Sequence, residues 1–331
     1  MELATLGETG RVLSRIGLGL AALGRPGYIN LGHASDLRGD HDVPAMESRA
    51  FSVLDAAHAG GVRYFDAARS YGRAEEFLAG WLATRRIAPA AVTVGSKWGY
   101  TYTAGWRVEA ERHEVKDHSL GNLRRQVVES RGLLGGHLDL YQVHSATPGS
   151  GVLDDDAVLE ELARLKGDGL RIGLSLSGPG QSETLRRAMA VEVGGRRLFD
   201  AVQATWNLLE PSAGPALAEA HAAGMGVIVK EALANGRLTP RNDDPDFASR
   251  RRVLEAESSR LGASLDSLAM AAALANPWAD VVLSGATTAE QLASNLGALA
   301  VVWDDRAGER VRQLAECPEE YWATRSRLPW N

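Results

Sequence analysis

The sequence has little of what marks secreted, membrane-spanning or nucleic-acid-binding proteins. Its 331 residues include one cysteine, Cys317, so no internal disulfide can form and a reducing compartment is expected. No apolar run reaches the roughly 18–20 residues that a membrane helix needs. With 36 Lys+Arg against 42 Asp+Glu, the net charge of −6 provides no basic surface for nucleic acid or an anionic membrane. We therefore expect a cytoplasmic protein whose partners include neither nucleic acid nor membrane.

Two stretches are similar to functional segments, one to a signal peptide and one to a metal site, but we reject both interpretations. The segment 16–24, IGLGLAALG, is similar to a signal-peptide core, but Glu2 and Glu8 precede it where such a peptide carries positive charge. The segment 33–42, HASDLRGDHD, is rich in potential metal ligands, but their spacing matches no recognised site. We interpret it as a polar loop and expect no metal.

Short apolar runs alternate with helix-length amphipathic segments along the whole chain. Eight candidate strands are present: SRIGLGL, VRYFDA, AVTVGS, LDLYQVH, RIGLSLS, DAVQATW, MGVIVKE and DVVLSGA. The intervening helices are predicted at 47–60, 73–83, 118–134, 154–168, 181–191, 212–224 and 288–299, with two more within 246–275. Eightfold alternation of strand and helix predicts an α/β fold, a (β/α)8 TIM barrel, with residues 1–331 forming a single domain.

Two kinds of addition to the barrel are predicted. The first fourteen residues, MELATLGETGRVLS, place a polar turn between short apolar stretches, which predicts an N-terminal hairpin beneath the barrel. The long loops 24–46 and 99–117 both follow strands. Because loops after strands lie on the catalytic face of a barrel, these two are expected to shape a pocket.

Three ionisable side chains close three successive strands. Asp66, Lys97 and His144 end strands two, three and four, and Tyr71 lies in the loop just after Asp66. Each residue by itself has an ordinary interpretation as a cap, a surface lysine or a core histidine. Together at neighbouring strand ends, they predict a site in which a cation beside the Tyr71 phenol lowers its pKa toward the working range, and His144 holds a carbonyl oxygen.

These residues carry a resemblance to the aldo-keto reductases. The family pattern F-D-T-A-x-x-Y-G is similar to residues 65–72, FDAARSYG, with Ala67 replacing the threonine. The lysine of strand three resembles Lys97, and the family's Y-x-x-H resembles 141–144, YQVH. Further resemblances follow in the family's order along nearly the whole chain: GLRIGLSLS, VQATWNLLE and SGATTAEQLASNL. The combination is specific, although any one of these motifs would be weak evidence.

The resemblance implies a nicotinamide-dependent reductase without a Rossmann domain. A hydride passes between the cofactor and an aldehyde or ketone, while Tyr71 protonates the oxygen and Lys97, paired with Asp66, tunes the tyrosine. NADP(H) is expected as cofactor, with NAD(H) possible. The implied cofactor-binding residues are Ser175, Gln203, Lys230, Leu233, Gly236, Arg237, Gly285, Thr287, Gln291 and Asn295.

Three positions at the implied cofactor site depart from the family pattern. Leu176 replaces the asparagine after Ser175, Lys230 replaces the tyrosine that stacks on the nicotinamide, and Thr287 matches the Arg or Lys that recognises the 2′-phosphate. We expect the Lys230 stem to pack on the ring, unless strand seven is shifted by one residue. Thr287 weakens the expectation of NADP(H), because it removes a charge-assisted bond.

Aromatic side chains near two strand ends are the candidates for substrate binding. Trp98, Tyr100 and Trp206 are predicted to wall the pocket, although packing within the loops is an equally good interpretation of each. The substrate is expected to be a small carbonyl compound or alcohol. Two other functions stay open, a cofactor-binding regulatory subunit with little turnover and a (β/α)8 isomerase or lyase. The oligomeric state is not predicted.

Overall fold

The strands of the computed structural model alternate with helices and close into a parallel barrel. The structure describes residues 3–331, so Met1 and Glu2, the first residues of the predicted hairpin segment, lie outside it. The strands are β1 Leu3–Thr5, β2 Val12–Ser14, β3 Ile16–Gly19, β4 Tyr64–Asp66, β5 Thr93–Trp98, β6 Tyr100–Tyr102, β7 Glu114–Lys116, β8 Leu138–Ala146, β9 Arg171–Leu176, β10 Glu192–Val193, β11 Arg196–Arg197, β12 Ala201–Thr205, β13 Gly226–Lys230 and β14 Val281–Ser284.

Eight of these strands form the barrel, in the order β12-β13-β14-β3-β4-β5-β8-β9. Their pairings are parallel, and β14 lies beside β3 through the register Val282↔Ile16, which closes the ring. Each of the eight predicted strands corresponds to one of them. The (β/α)8 prediction is therefore confirmed.

The helices surround the barrel and begin at side-chain caps where the sequence supplies them. They are α1 His33–Leu37, α2 Val43–Ala59, α3 Ala74–Thr84, α4 Leu120–Leu134, α5 Asp156–Gly167, α6 Gln181–Met189, α7 Gly214–Ala222, α8 Ala248–Leu261, α9 Leu265–Leu274, α10 Ala289–Leu296, α11 Asp305–Val311 and α12 Pro318–Ser326. Asp42, Ser119 and Asp155, for example, accept hydrogen bonds from backbone N–H groups of the first turns of α2, α4 and α5. Among the helices of residues 3–331, none has the length and apolar character to cross a membrane.

The N-terminal hairpin covers the end of the barrel opposite the predicted site. Strands β1 and β2 pair antiparallel, as expected from the sequence. Leu6 and Leu13 of this hairpin are buried in one cluster with Tyr64, Ile228 and Val281, which lie at the starts of barrel strands or within them. The hairpin thereby fills the bottom of the barrel with apolar side chains.

Both long loops carry secondary structure that the sequence patterns missed. The segment 99–117 contains β6 and β7, which pair as an antiparallel hairpin, and the segment 24–46 contains α1 and the start of α2. The chain also continues after α10 into α11 and α12, which were not predicted. These insertions and α12 lie next to the strand ends that carry the candidate site.

Candidate active site

A buried ion pair lies at the ends of β4 and β5. The Lys97 ammonium donates to the carboxylate of Asp66, and both residues are almost completely buried, at 0% and 2% exposure. The same ammonium donates to the carbonyl of Ala67 at 3.0 Å. The other Asp66 oxygen accepts from the Tyr64 hydroxyl at 3.2 Å and the Gln203 amide at 2.9 Å. Since a buried charge must be paired and hydrogen-bonded, this network fixes both side chains.

The Tyr71 hydroxyl lies between Lys97 and His144. It is 3.5 Å from the Lys97 ammonium nitrogen and 3.5 Å from Nε2 of His144. The predicted lowering of the Tyr71 pKa is wrong: burial and the negative charge of Asp66 raise it well above its usual range, while the positive charge of Arg25 acts in the opposite direction. Tyr71 is consequently protonated at neutral pH and has a proton to donate.

His144 is held as a neutral imidazole. Burial, and then the charges of Lys97 and Arg25, lower its pKa well below the usual histidine range. Its Nδ1 is 3.4 Å from the Ser70 hydroxyl, and its ring packs edge-on against Tyr100, with ring centroids 5.0 Å apart. If Ser70 donates to Nδ1, the hydrogen of the neutral ring is on Nε2, the nitrogen nearer Tyr71. We call Asp66, Tyr71, Lys97 and His144 the catalytic cluster, after the role proposed for them below.

A cavity of about 640 Å³ opens above the catalytic cluster. Lys97 lies behind its wall, whereas Asp66, Tyr71 and His144 line it. Most of the other predicted site residues line it as well, namely Tyr100, Ser175, Gln203, Lys230, Leu233, Gly236, Gly285, Thr287, Gln291 and Asn295. The chain thus brings together on one cavity residues that are far apart in sequence.

Lys230 ends β13, as the sequence predicted, and its ammonium has partners. It donates to the Thr205 hydroxyl at 2.7 Å and lies 3.7 Å from the Glu231 carboxylate. Burial lowers the pKa of Lys230 to about 8, while the charge of Glu231 acts in the opposite direction. The head group is therefore directed to Thr205 and Glu231, which leaves the stem as the part available to a ligand.

Glu231 is a site residue that the sequence analysis missed. It has a positive φ of 56°, which is uncommon for a residue with a side chain, and it lines the cavity. The Arg325 guanidinium from α12 donates to both of its carboxylate oxygens. Burial by itself would raise the pKa of Glu231, but the charges of Arg325 and Lys230 hold it at about 2.

A second cluster of polar side chains on the cavity wall connects three segments of the chain. The Thr287 hydroxyl donates to the Asp36 carboxylate at 2.6 Å, its backbone N–H donates to Gln291 at 2.9 Å, and Arg241 pairs with Asp36. Burial would raise the pKa of Asp36, but hydrogen bonds from Arg241 and Thr287 bring it below its usual range. We call Asp36, Arg241, Thr287 and Gln291 the Asp36 cluster.

Three predicted site residues do not line the cavity. Trp98 is 0% exposed and packs edge-on against His118, with ring centroids 5.6 Å apart. Trp206 packs against Trp278 in the same way, at 5.9 Å. Successive side chains of a strand point to opposite faces, so Trp98 is directed away from the side on which Lys97 meets Asp66. We correct both predictions, because these tryptophans are packing residues.

Arg237 is the third correction. Its guanidinium donates to the Glu316 carboxylate at 3.0 Å and lies over the ring of Tyr321, 5.7 Å from the ring centre. This ion pair fastens the segment after β13 to the C-terminal part of the chain instead of facing the cavity. Arg241, four residues later, is the arginine of this segment that lines the cavity.

Other cavity residues were missed because they come from loops and from the C-terminal segment. They are Arg25, Tyr28, Asp36, Glu231, Arg241, Arg325 and Trp330. Glu231 ends the predicted strand MGVIVKE and Asp36 lies in the segment 33–42 interpreted as a polar loop, but neither was assigned a role in the site. The loop 24–46 is no richer in charged or aromatic residues than the whole chain, so its composition does not show which side chains turn inward.

The comparisons with known proteins agree with this architecture. The family model described as the Aldo/keto reductase family matches residues 15–316. The aldo-keto reductase str7 of Strobilurus tenacellus is 25% identical, over 92% of this chain and 90% of its own. The holo form of the aldo-keto reductase AKR11C1 from Bacillus halodurans superposes with a TM-score of 0.71 over 96% of this chain and 97% of its own. At 21% identity, that second similarity shows the fold alone.

A shorter similarity involves a relative named for its substrate. The pyridoxal 4-dehydrogenase of Microbacterium luteolum is 29% identical over 164 residues, which is 43% of each chain. Because the family model spans most of the sequence, the chain belongs to the aldo/keto reductase family. It is accordingly an oxidoreductase of a family that acts on carbonyl compounds and generally uses nicotinamide cofactors.

Proposed function

We propose that this protein is an NAD(P)H-dependent reductase of an aldehyde or ketone, or the dehydrogenase of the corresponding alcohol, with Tyr71 as general acid or base. The contact that carries the proposal is the approach of the buried Lys97 ammonium to the Tyr71 hydroxyl, at 3.5 Å, beside a cavity. A protonated phenol held beside a buried cation is suited to give its proton to an oxygen and to remain stable after the loss.

The cavity residues offer hydrogen-bond donors and acceptors of the kinds that a nicotinamide cofactor needs. The Ser175 hydroxyl accepts from the backbone N–H of Ser145 at 2.8 Å, so its own hydrogen is available to a carboxamide. Gln203 donates to Asp66 at 2.9 Å, which leaves its carbonyl oxygen available as an acceptor. The α10 N-terminus, capped by Thr288, contributes backbone N–H groups of the kind that bind phosphate. When bound, a reduced nicotinamide supplies the hydride that reaches the carbonyl carbon.

The proton step belongs to the catalytic cluster. In reduction, the proton on the Tyr71 oxygen moves to the substrate oxygen as that oxygen becomes negative. Neutral His144, with hydrogen on Nε2, can donate to the same oxygen and orient it. Lys97 stabilises the negative charge left on Tyr71, and Asp66 holds Lys97 in place through their ion pair. In oxidation the same groups act in reverse.

Cofactor choice depends on the Asp36 cluster in this proposal. The family resemblance favoured NADP(H), with Thr287 at the position that meets the 2′-phosphate. The ionised Asp36 carboxylate, hydrogen-bonded to Thr287 at 2.6 Å, would repel a phosphate there and can instead accept from a ribose hydroxyl. Arg241 could serve a phosphate only after it leaves Asp36. The cluster therefore supports NAD(H) more than the sequence did.

The test is carbonyl-dependent oxidation of NADH and NADPH, followed by absorbance, across aldoses, aromatic aldehydes, pyridoxal and polyketide-like ketones. Pyridoxal is included because one partial relative is named for it. We expect turnover in wild type that Tyr71→Phe largely removes. Cofactor binding in a fluorescence titration without any turnover would favour the regulatory-subunit alternative, and no cofactor binding at all would favour an isomerase or lyase.

A further inference from the structure

Two glycines bring the loop after β3 onto the loop that carries Tyr71. The carbonyl of Gly24 accepts from the backbone N–H of Arg73 at 2.7 Å. A Cβ on Gly24 would lie 2.2 Å from the Tyr71 carbonyl, and a Cβ on Gly72, whose φ is +58°, would lie 2.4 Å from the Gly24 carbonyl. This close approach requires glycine on both sides. It fixes the position of the next residue, Arg25, relative to Tyr71.

Arg25 is a buried cation directly against the Tyr71 ring. It is 3% exposed, and its guanidinium carbon lies 5.2 Å from the centre of that ring. One terminal nitrogen donates to the Ser70 carbonyl at 3.1 Å and to the Glu114 carboxylate of β7 at 3.0 Å. The guanidinium also lies over Tyr28 at 5.0 Å and Trp330 at 4.8 Å.

If Arg25 served only to hold loops together, all of its buried N–H groups would be expected to have hydrogen-bond partners, and they do not. Its Nε is buried without a hydrogen-bond partner among the described residues. A buried donor left unpaired is destabilising, and arginine is expensive to bury unless its charge is used. The unpaired Nε is therefore a cost to stability that loop packing by itself does not explain.

We propose that Arg25 is a positioning residue for the proton step, whose positive charge stabilises the deprotonated Tyr71 that forms when the proton moves to the substrate oxygen. The inference rests on the proposed function, in which hydride reaches the carbonyl carbon and the proton of Tyr71 reaches the oxygen. Tyr71 then holds one negative charge, with the Lys97 ammonium 4.9 Å and the Arg25 guanidinium carbon 5.2 Å from its ring centre.

The charge balance around Tyr71 explains why a second cation is needed. The Lys97 ammonium is 4.9 Å from the ring centre, but the carboxylate of Asp66 that contacts it offsets part of its effect and itself raises the pKa of Tyr71. Arg25 is paired with Glu114, whose side chain is 26% exposed, so solvent screens that partner more than it screens Arg25. The titratable and charged groups that face Tyr71 are Arg25, Tyr28, Tyr64, Asp66, Lys97, Glu114, His144 and Glu231.

A paired set of variants separates this role from a loop clamp. Arg25→Met and Glu114→Gln both break the same ion pair, so a purely structural role predicts effects of the same sign. The electrostatic role predicts opposite signs. Removing the cation should raise the pKa of Tyr71, whereas removing the neighbouring carboxylate should lower it. Arg25→Lys keeps the positive charge, so the pKa of Tyr71 in this variant should be close to that in wild type.

The readout is the titration of Tyr71 itself, without cofactor or substrate. Difluorotyrosine incorporated at the seven tyrosines makes the phenols more acidic and gives separate ¹⁹F resonances, and the Tyr71 signal is identified by its loss in Tyr71→Phe. We expect a midpoint about one pH unit higher in Arg25→Met, and a lower one in Glu114→Gln. An unchanged midpoint in Arg25→Met, or shifts of the same sign in both variants, would overturn the proposal.

Kinetics add a second readout. Arg25→Met should lower kcat about tenfold with little change in KM, in keeping with one pH unit at the proton donor. If Arg25→Met does not fold, Glu114→Gln and Arg25→Lys still decide the matter, since an unchanged or raised midpoint in Glu114→Gln contradicts the inference. Should wild type oxidise no cofactor with any carbonyl, the proposed function fails, and the titration still shows whether Arg25 tunes Tyr71.

Discussion

The catalytic cluster and the Asp36 cluster line the same cavity but are built differently. Asp66 ends β4, Lys97 and His144 lie one and two residues before the ends of β5 and β8, and Tyr71 lies in the loop after β4. The key contact of this cluster, Lys97 to Asp66, is buried. The Asp36 cluster joins α1, the segment after β13 and the start of α10, and its arginine side chain is 37% exposed. Rigid strand ends thus carry the groups proposed for chemistry, while loop contacts carry the groups proposed for cofactor choice.

The largest effect that separates the two clusters is expected from Tyr71→Phe. Because the phenol is the proposed proton donor, kcat should fall by about 10²–10⁴-fold while cofactor affinity hardly changes. Tyr100→Phe, at another phenol on the cavity wall, is the matched control and should change kcat much less. Steady-state kinetics and a fluorescence titration of both variants supply the measurement, and retained activity in Tyr71→Phe would remove that residue from the role.

Breaking the buried ion pair should be the next largest effect. Lys97→Met leaves the Asp66 carboxylate buried without its cation, so the free energy of unfolding should fall by about 3–5 kcal/mol. Adding Asp66→Asn to that variant removes the stranded charge and should recover part of the loss, although not the activity. Urea unfolding of the single and double variants measures both quantities. If the single and double variants were equally stable, the buried Asp66 carboxylate would not need the Lys97 cation, which contradicts the prediction.

The Glu231–Arg325 ion pair gives a pH-dependent test on the same cavity. The pKa of Glu231 is about 2 in the folded protein, below that of an unfolded glutamate, so its contribution is complete above pH about 4.5 and is lost as pH falls towards 2. The contribution at pH 7 is about 3 kcal/mol. The difference in unfolding free energy between wild type and Glu231→Gln should therefore decrease as the pH falls towards 2. A difference that is constant from pH 7 to pH 3 would mean that the charge of Glu231 is unimportant.

The smallest predicted effect concerns the Asp36 cluster. Asp36→Asn removes the carboxylate beside Thr287 and releases Arg241, so the ratio of NADPH to NADH dissociation constants should fall about tenfold, or about 1.4 kcal/mol. Glu290→Gln, which neutralises an exposed carboxylate on the same cavity wall, is the control and should leave the ratio nearly unchanged. Equal shifts in both variants would indicate a general effect of net charge.

The two clusters also differ in how far the sequence predicts them. Apolar runs with period and length typical of strands identify β4, β5 and β8, and a polar residue that closes each run is visible in the sequence itself. The strand alternation could also have shown that Trp98 faces away from the side of Lys97. Local patterns are sufficient here because the backbone of a parallel strand determines where its last side chain points.

Contacts between loops follow no such rule. Thr287 meets Asp36 across 251 positions of sequence, and Arg237 pairs with Glu316, so neither partner can be predicted from its neighbours in the chain. Arg25 follows a glycine in an irregular loop, and its position against Tyr71 depends on an approach between two glycines that only the folded chain displays. Packing of this kind depends on the whole tertiary structure, which pattern analysis does not contain.

The closure of the barrel has a consequence for how the protein is made. Strand β3, near the start of the chain, completes its hydrogen bonds with β14 only when Val282 reaches Ile16. A ribosome adds about 5–20 residues per second, so β3 waits many seconds with one edge unpaired while the rest of the barrel is synthesised. Such an edge can pair with other chains. We expect slow, chaperone-sensitive folding, and we expect truncation before β14 to give aggregates instead of a smaller stable barrel.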